Sequence, residues 1–84
     1  MSVLKNIQFT EHIKTQGRLK EFNFWKKTID KEVIYDVDVT DERGDRHYFS
    51  MKLEQKSWMI REAEVPTWIR EVLSQLQRAI EENP

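Results

Sequence analysis

The 84-residue chain contains no cysteine, two glycines and two prolines. Without cysteine there is no disulfide framework and no thiolate to bind zinc or attack a carbonyl, and small domains of oxidising compartments ordinarily rely on such staples. The opening MSVLKNIQF lacks the apolar run of an export signal, and no segment approaches the roughly 20 apolar residues of a membrane span. A cytoplasmic location and no membrane contact are therefore expected. Two isolated glycines cannot build a phosphate-cradling loop, and no repeat, low-complexity tract or Pro/Gly/Ser linker interrupts the chain. No sign of charge prevails either. Fourteen Lys and Arg stand against fifteen Asp and Glu, so no net field draws the protein to nucleic acid or anionic lipid.

Aromatic residues, in contrast, are plentiful: three Trp, four Phe and two Tyr, more than disordered chains carry. Residues 1–84 are expected to fold as a single domain with one core. Between residues 19 and 63 the segments LKEFNFWKK, VIYDVDVT, HYFSMKLE and SWMIREA alternate with period two and are separated by short polar links. They predict a four-stranded antiparallel meander. After Pro66 the period changes. Ile69, Val72, Leu73, Leu76 and Ile80 recur at three- and four-residue steps, an amphipathic helix that ends before Pro84. The fold class is α+β in the order ββββα, the helix packed on one face of the sheet. Residues 2–17 fit two patterns. Ser2 caps a helix bearing Val3, Leu4 and Ile7, whereas Ile7, Phe9 and Ile13 also suit an extended segment ending at Gly17. Helix or irregular structure before Thr10 is the expectation.

The segment YDVDVTDERGDRHYF, residues 35–49, packs four aspartates, a glutamate and an RGD tripeptide into one stretch. An EF-hand loop beginning at Asp36 needs glycine at its sixth position and glutamate at its twelfth, where Asp41 and His47 stand. No calcium loop is present. Glu42 and Arg43 instead suit the centre of a type I turn with Gly44 left-handed, a three-residue hairpin loop closed by Asp41 facing Asp45. Counting back from that closure pairs Val39 with His47, Val37 with Phe49, Tyr35 with Met51 and Val33 with Leu53. The other face pairs Thr40 with Arg46, Asp38 with Tyr48, Asp36 with Ser50 and Ile34 with Lys52. RGD is then the tip of a hairpin, and without an export signal an adhesion role is not favoured. Asp36 and Asp38 are expected on a solvated face, where replacement of either by alanine leaves the fold intact. His12 and His47 are far apart, His47 standing at the core margin, and no Ser-His-Asp arrangement is suggested. Catalytic residues, metal ligands and cofactors are not expected, and an enzyme is the least supported class.

Phe22, Phe24, Val33, Tyr35, Val37, Phe49, Met51, Leu53, Trp58 and Ile60 form one face for the helix to cover. The opposite face bears Trp25, Lys27, Ile34, Tyr48, Lys52, Met59 and Arg61. Tight outer hairpins would align Trp25, Ile34, Lys52 and Met59 in one apolar row, to be covered by residues 2–17, by another chain, by a second copy or by stacked nucleic-acid bases. Trp68 stands beside the helix stripe, as a core anchor where the helix docks or as an interface anchor. These residues point to a small non-enzymatic protein–protein interaction domain or homodimer using the open face. Four strands followed by a helix, over residues 19–82, resemble the element order of the Pur-alpha repeat and the Whirly proteins, without their motifs. That resemblance implies single-stranded nucleic-acid binding by Trp25 and Tyr48 with Lys27, Lys52 and Arg61, although Glu21, Asp36, Asp38 and Glu54 on the same face would repel phosphates. It stands as the alternative.

Overall fold

The computed structural model describes residues 8–83. Five antiparallel strands lie in the sheet in their order along the chain: β1 (Gln8–Thr15), β2 (Arg18–Ile29), β3 (Glu32–Thr40), β4 (Arg46–Glu54) and β5 (Ser57–Ile60). The sheet curls into a half-barrel, and α1 (Thr67–Arg70) and α2 (Leu73–Glu82) complete the chain. The α+β class with a C-terminal helix holds, but the meander has five strands rather than four. Among the described residues no helix is long and apolar enough to cross a membrane.

The additional strand comes from the segment that fits two patterns: it is extended up to the turn at Gly17, and the expectation of helix or irregular structure before Thr10 fails at Gln8 and Phe9. Its residues alternate: Phe9 and Ile13 turn towards the core, while Gln8, Thr10, His12 and Lys14 are exposed. Phe9 stacks on Phe24 with ring centroids 4.6 Å apart, so apolar pairing supports the ladder that covers the long β2. Residues 8–15 thus extend the sheet sideways and do not lie across its second face. Ser2, Val3, Leu4, Ile7 and Pro84 fall outside the described residues.

Three of the four hairpins close with two residues that are both left-handed, Gln16–Gly17, Asp30–Lys31 and Gln55–Lys56. This turn matches the right-handed twist of the strands it joins. Closure at Asp30–Lys31 pairs Ile29 with Glu32, and therefore Trp25 with Asp36 and Lys27 with Ile34. The row across the second face is consequently Lys27, Ile34, Lys52 and Met59, with Trp25 one row further along. The fourth hairpin follows the expected design. Asp41 N–H donates to Asp45 O at 2.9 Å, Gly44 N–H to Asp41 O at 3.1 Å, and Gly44 has φ 90°. The ladder runs from Thr40 opposite Arg46 to Ile34 opposite Lys52.

The core lies between the sheet and the helices. Phe22, Phe24, Tyr35, Val37, Val39, Phe49 and Met51 are buried against Ile69, Val72, Leu76, Ala79 and Ile80. Each such large side chain stabilises the fold by about 1.5–3 kcal/mol. Val72, at φ −107° and ψ 21°, leaves the helical path and divides the expected single helix in two, yet the apolar stripe continues through the break. Leu53, expected in the core, is 49% exposed: it stands next to the end of β4 and lines an open cleft with Trp58 and Ile80.

Candidate binding face

The sheet face away from the helices carries a depression of about 390 Å³. Trp25 on β2 and Tyr48 on β4 flank it, 44% and 73% exposed, and between them β3 presents Asp36 and Asp38. The registers make this geometry. Trp25 is opposite Asp36 and Tyr48 opposite Asp38, so the two rings stand diagonally across the acidic strand. Ser50 and Glu62 complete the wall.

Asp38 is not a solvated carboxylate. It is 7% exposed, and it accepts hydrogen bonds from Asn23 Nδ2 at 3.0 Å, Trp25 Nε1 at 3.4 Å and Arg46 Nη1 at 3.4 Å. The expectation that both aspartates are solvated therefore fails for Asp38, whose long neighbours on β2 and β4 fold over it. Trp25 is oriented by this bond, its indole N–H turned to the carboxylate. Asp36 remains half-exposed and pairs with Lys27 Nζ at 2.9 Å.

Glu62 has a different origin. β5 pairs only with residues 51–54 of β4, so Ser50, paired with Asp36 of β3 on its other side, has no ladder partner on the β5 side. Arg61 N–H donates to Ser50 O at 2.9 Å, and the Glu62 carboxylate accepts from Ser50 N–H and from Ser50 Oγ, each at 3.0 Å. Nothing in the sequence pattern marks Glu62, because its role depends on where β5 stops.

Of the other residues expected at a binding site, Ile34 is withdrawn from solvent, 4% exposed. It lies between Lys27 and Lys52, whose ammonium groups are tied to Asp36 and, at 3.3 Å, to Glu32 on either side of it along β3. The two lysines thus flank Ile34 in the ladder, where their stems can shield it. Met59 is half-buried, with Gln77 Nε2 reaching its sulfur at 3.7 Å, and Arg61 is exposed. Trp68 belongs to the opposite side of the sheet. It packs on the core, His47 meets it edge-on at 5.5 Å and the buried Lys20 ammonium lies 5.1 Å from its ring centre. Lys20 also donates to Thr15 O at 3.0 Å.

At the hairpin tip, His47 Nε2 lies 2.9 Å from Asp41 Oδ2, which holds the Asp41 carboxyl below the usual carboxylate range. Asp41 Oδ1 accepts the N–H groups of Arg43 and Asp45 at 2.9 Å each. Among the described residues no group of three or more His, Asp or Glu could hold a metal ion. Comparisons with protein-family models, with curated proteins and with solved structures find no match for the chain.

Proposed function

We propose that this protein is a small, non-enzymatic cytoplasmic domain that binds another protein chain through the helix-free face of its sheet. The partner is an extended segment presenting an arginine or lysine. The observation that carries this reading is the pairing of two exposed aromatic rings, Trp25 and Tyr48, with Asp36, Asp38 and Glu62 in one depression. A cation seated there meets aromatic faces and carboxylates together, and aromatic residues dominate interface energetics. The same charges disfavour a single-stranded nucleic acid. Lys27 and Lys52 are tied to Asp36 and Glu32, which leaves Arg61 as the exposed cation of that face without an ion pair among the described residues, too little positive charge for a phosphate backbone.

The test is a nuclear magnetic resonance titration with the peptide acetyl-VRVRV-amide and its glutamate counterpart acetyl-VEVEV-amide. The arginine peptide should shift the Trp25 indole N–H and the amides of Asp36, Tyr48 and Ser50, and Tyr48→Ala should weaken that binding about fivefold or more. Equal shifts with the glutamate peptide, or none with either, would overturn the proposal. Sedimentation of the wild type and Trp25→Glu reports whether a second copy occupies the face.

A further inference from the structure

On the helix-bearing side, at the end closed by Asp30–Lys31, α2 stops short of sealing the half-barrel. The cleft left open has a volume of about 500 Å³, and its apolar wall is made by Val33, Tyr35, Leu53, Trp58 and Ile80. Cavities of roughly 300–1,000 Å³ lined in this way, with few polar groups, are the usual seats of small molecules.

Tyr35 supplies the second observation. It is 2% exposed, its ring held edge-on by Trp58 at 5.1 Å and by Phe9 at 6.1 Å. Its hydroxyl makes no hydrogen bond among the described residues. Tyr35 is itself one of the residues that line the cleft. A phenol in a cleft wall without a partner among the described residues is a donor available to an acceptor in the cleft.

The charges around it choose the acceptor. Lys26, the ladder partner of Tyr35, and Lys31 of the turn both line the cleft, and neither is in an ion pair among the described residues. Glu32 also lines it but is bound to Lys52, leaving Glu81 on the helix as the one lining carboxylate without an ion pair among the described residues. Donors therefore gather on the β2–β3 side, and apolar surface on the side of β4, β5 and α2.

We propose that this cleft binds a small amphipathic carboxylate. Its alkyl or aryl body lies against Leu53, Trp58 and Ile80, and its carboxylate accepts from the Tyr35 hydroxyl and the Lys26 and Lys31 ammonium groups. The site is separate from the sheet face, and either can exist without the other. Titration of the intact protein with octanoate, octanol and octylammonium, followed by amide and indole resonances, tests it. Octanoate should give saturable shifts at Val33, Tyr35, Leu53 and the Trp58 indole. Tyr35→Phe, which removes only the hydroxyl, should weaken octanoate roughly tenfold and leave octanol unchanged. Lys26→Gln should also weaken octanoate selectively. The proposal is overturned if octanol or octylammonium binds as tightly as octanoate, if Tyr35→Phe binds octanoate unchanged, or if no saturable shift appears below the concentration at which octanoate itself aggregates.

Discussion

At the level of single residues, the turns decide more than their composition advertises. Gly17 and Gly44 mark two direction changes, and both have positive φ, 76° and 90°. Lys31 and Lys56 adopt the same left-handed backbone at 68° and 74° with nothing in the sequence to announce it. A Cβ in that conformation crowds the following carbonyl at a penalty of about 1–2 kcal/mol, which glycine avoids while losing about 0.5–1 kcal/mol more chain entropy on folding. Lys56→Gly should therefore stabilise the protein by about 0.5–1 kcal/mol, raising its melting temperature by a few degrees. A lower melting temperature would show that the turn relieves its strain another way. The silence of Lys31 also explains why the β2–β3 register was illegible. Closure at Asp30–Lys31 moves Trp25 from Ile34 to Asp36, and no side-chain pattern in LKEFNFWKK distinguishes the two.

At the level of elements, alternation made β2 to β5 and their faces readable, and the Gly44 hairpin supplied a register that the ladder follows. Alternation does not say how far neighbouring side chains wrap around a residue. Asp36 and Asp38 share one face of β3, yet their side chains are 45% and 9% exposed because Asn23, Trp25 and Arg46 converge on the second. Their replacements should therefore differ. Asp36→Ala breaks one half-exposed ion pair and should change stability by about 0–1 kcal/mol. Asp38→Ala takes the acceptor from several donors at once and should lose about 1–3 kcal/mol, measured as a lower urea midpoint at constant slope. Equal midpoints would mean that the network around Asp38 is replaced by water without loss. β1 was less legible because Phe9 and Ile13 suit a helix as well as a strand, and the choice is made by stacking on Phe24, a partner fifteen residues away from Phe9.

For the whole molecule, two groups at opposite ends of the sheet set opposite limits on stability. The Asp41 carboxyl is held below its ordinary value first by the hydrogen bond to His47 and then by the N–H groups of Asp45 and Arg43. A depressed folded value means that the unfolded chain takes up this proton first. The contribution of Asp41 is therefore complete above its unfolded value of about 3.9 and fades as the pH falls through the lower folded value. Tyr35 has the reverse sign. Burial raises its phenol above the ordinary value, so its contribution is complete below a pH of about 10 and is lost as the pH rises through the folded value. Denaturation midpoints measured from pH 3 to 11 should thus decline at both ends, and each limb should respond to its own substitution. Asp41→Asn keeps an oxygen for the Arg43 and Asp45 N–H groups while removing the charge, so it should flatten the acid limb and leave the alkaline limb alone. Tyr35→Phe should do the opposite. An acid limb as steep in Asp41→Asn as in the wild type would show that the bond between Asp41 and His47 does not set the acid limit.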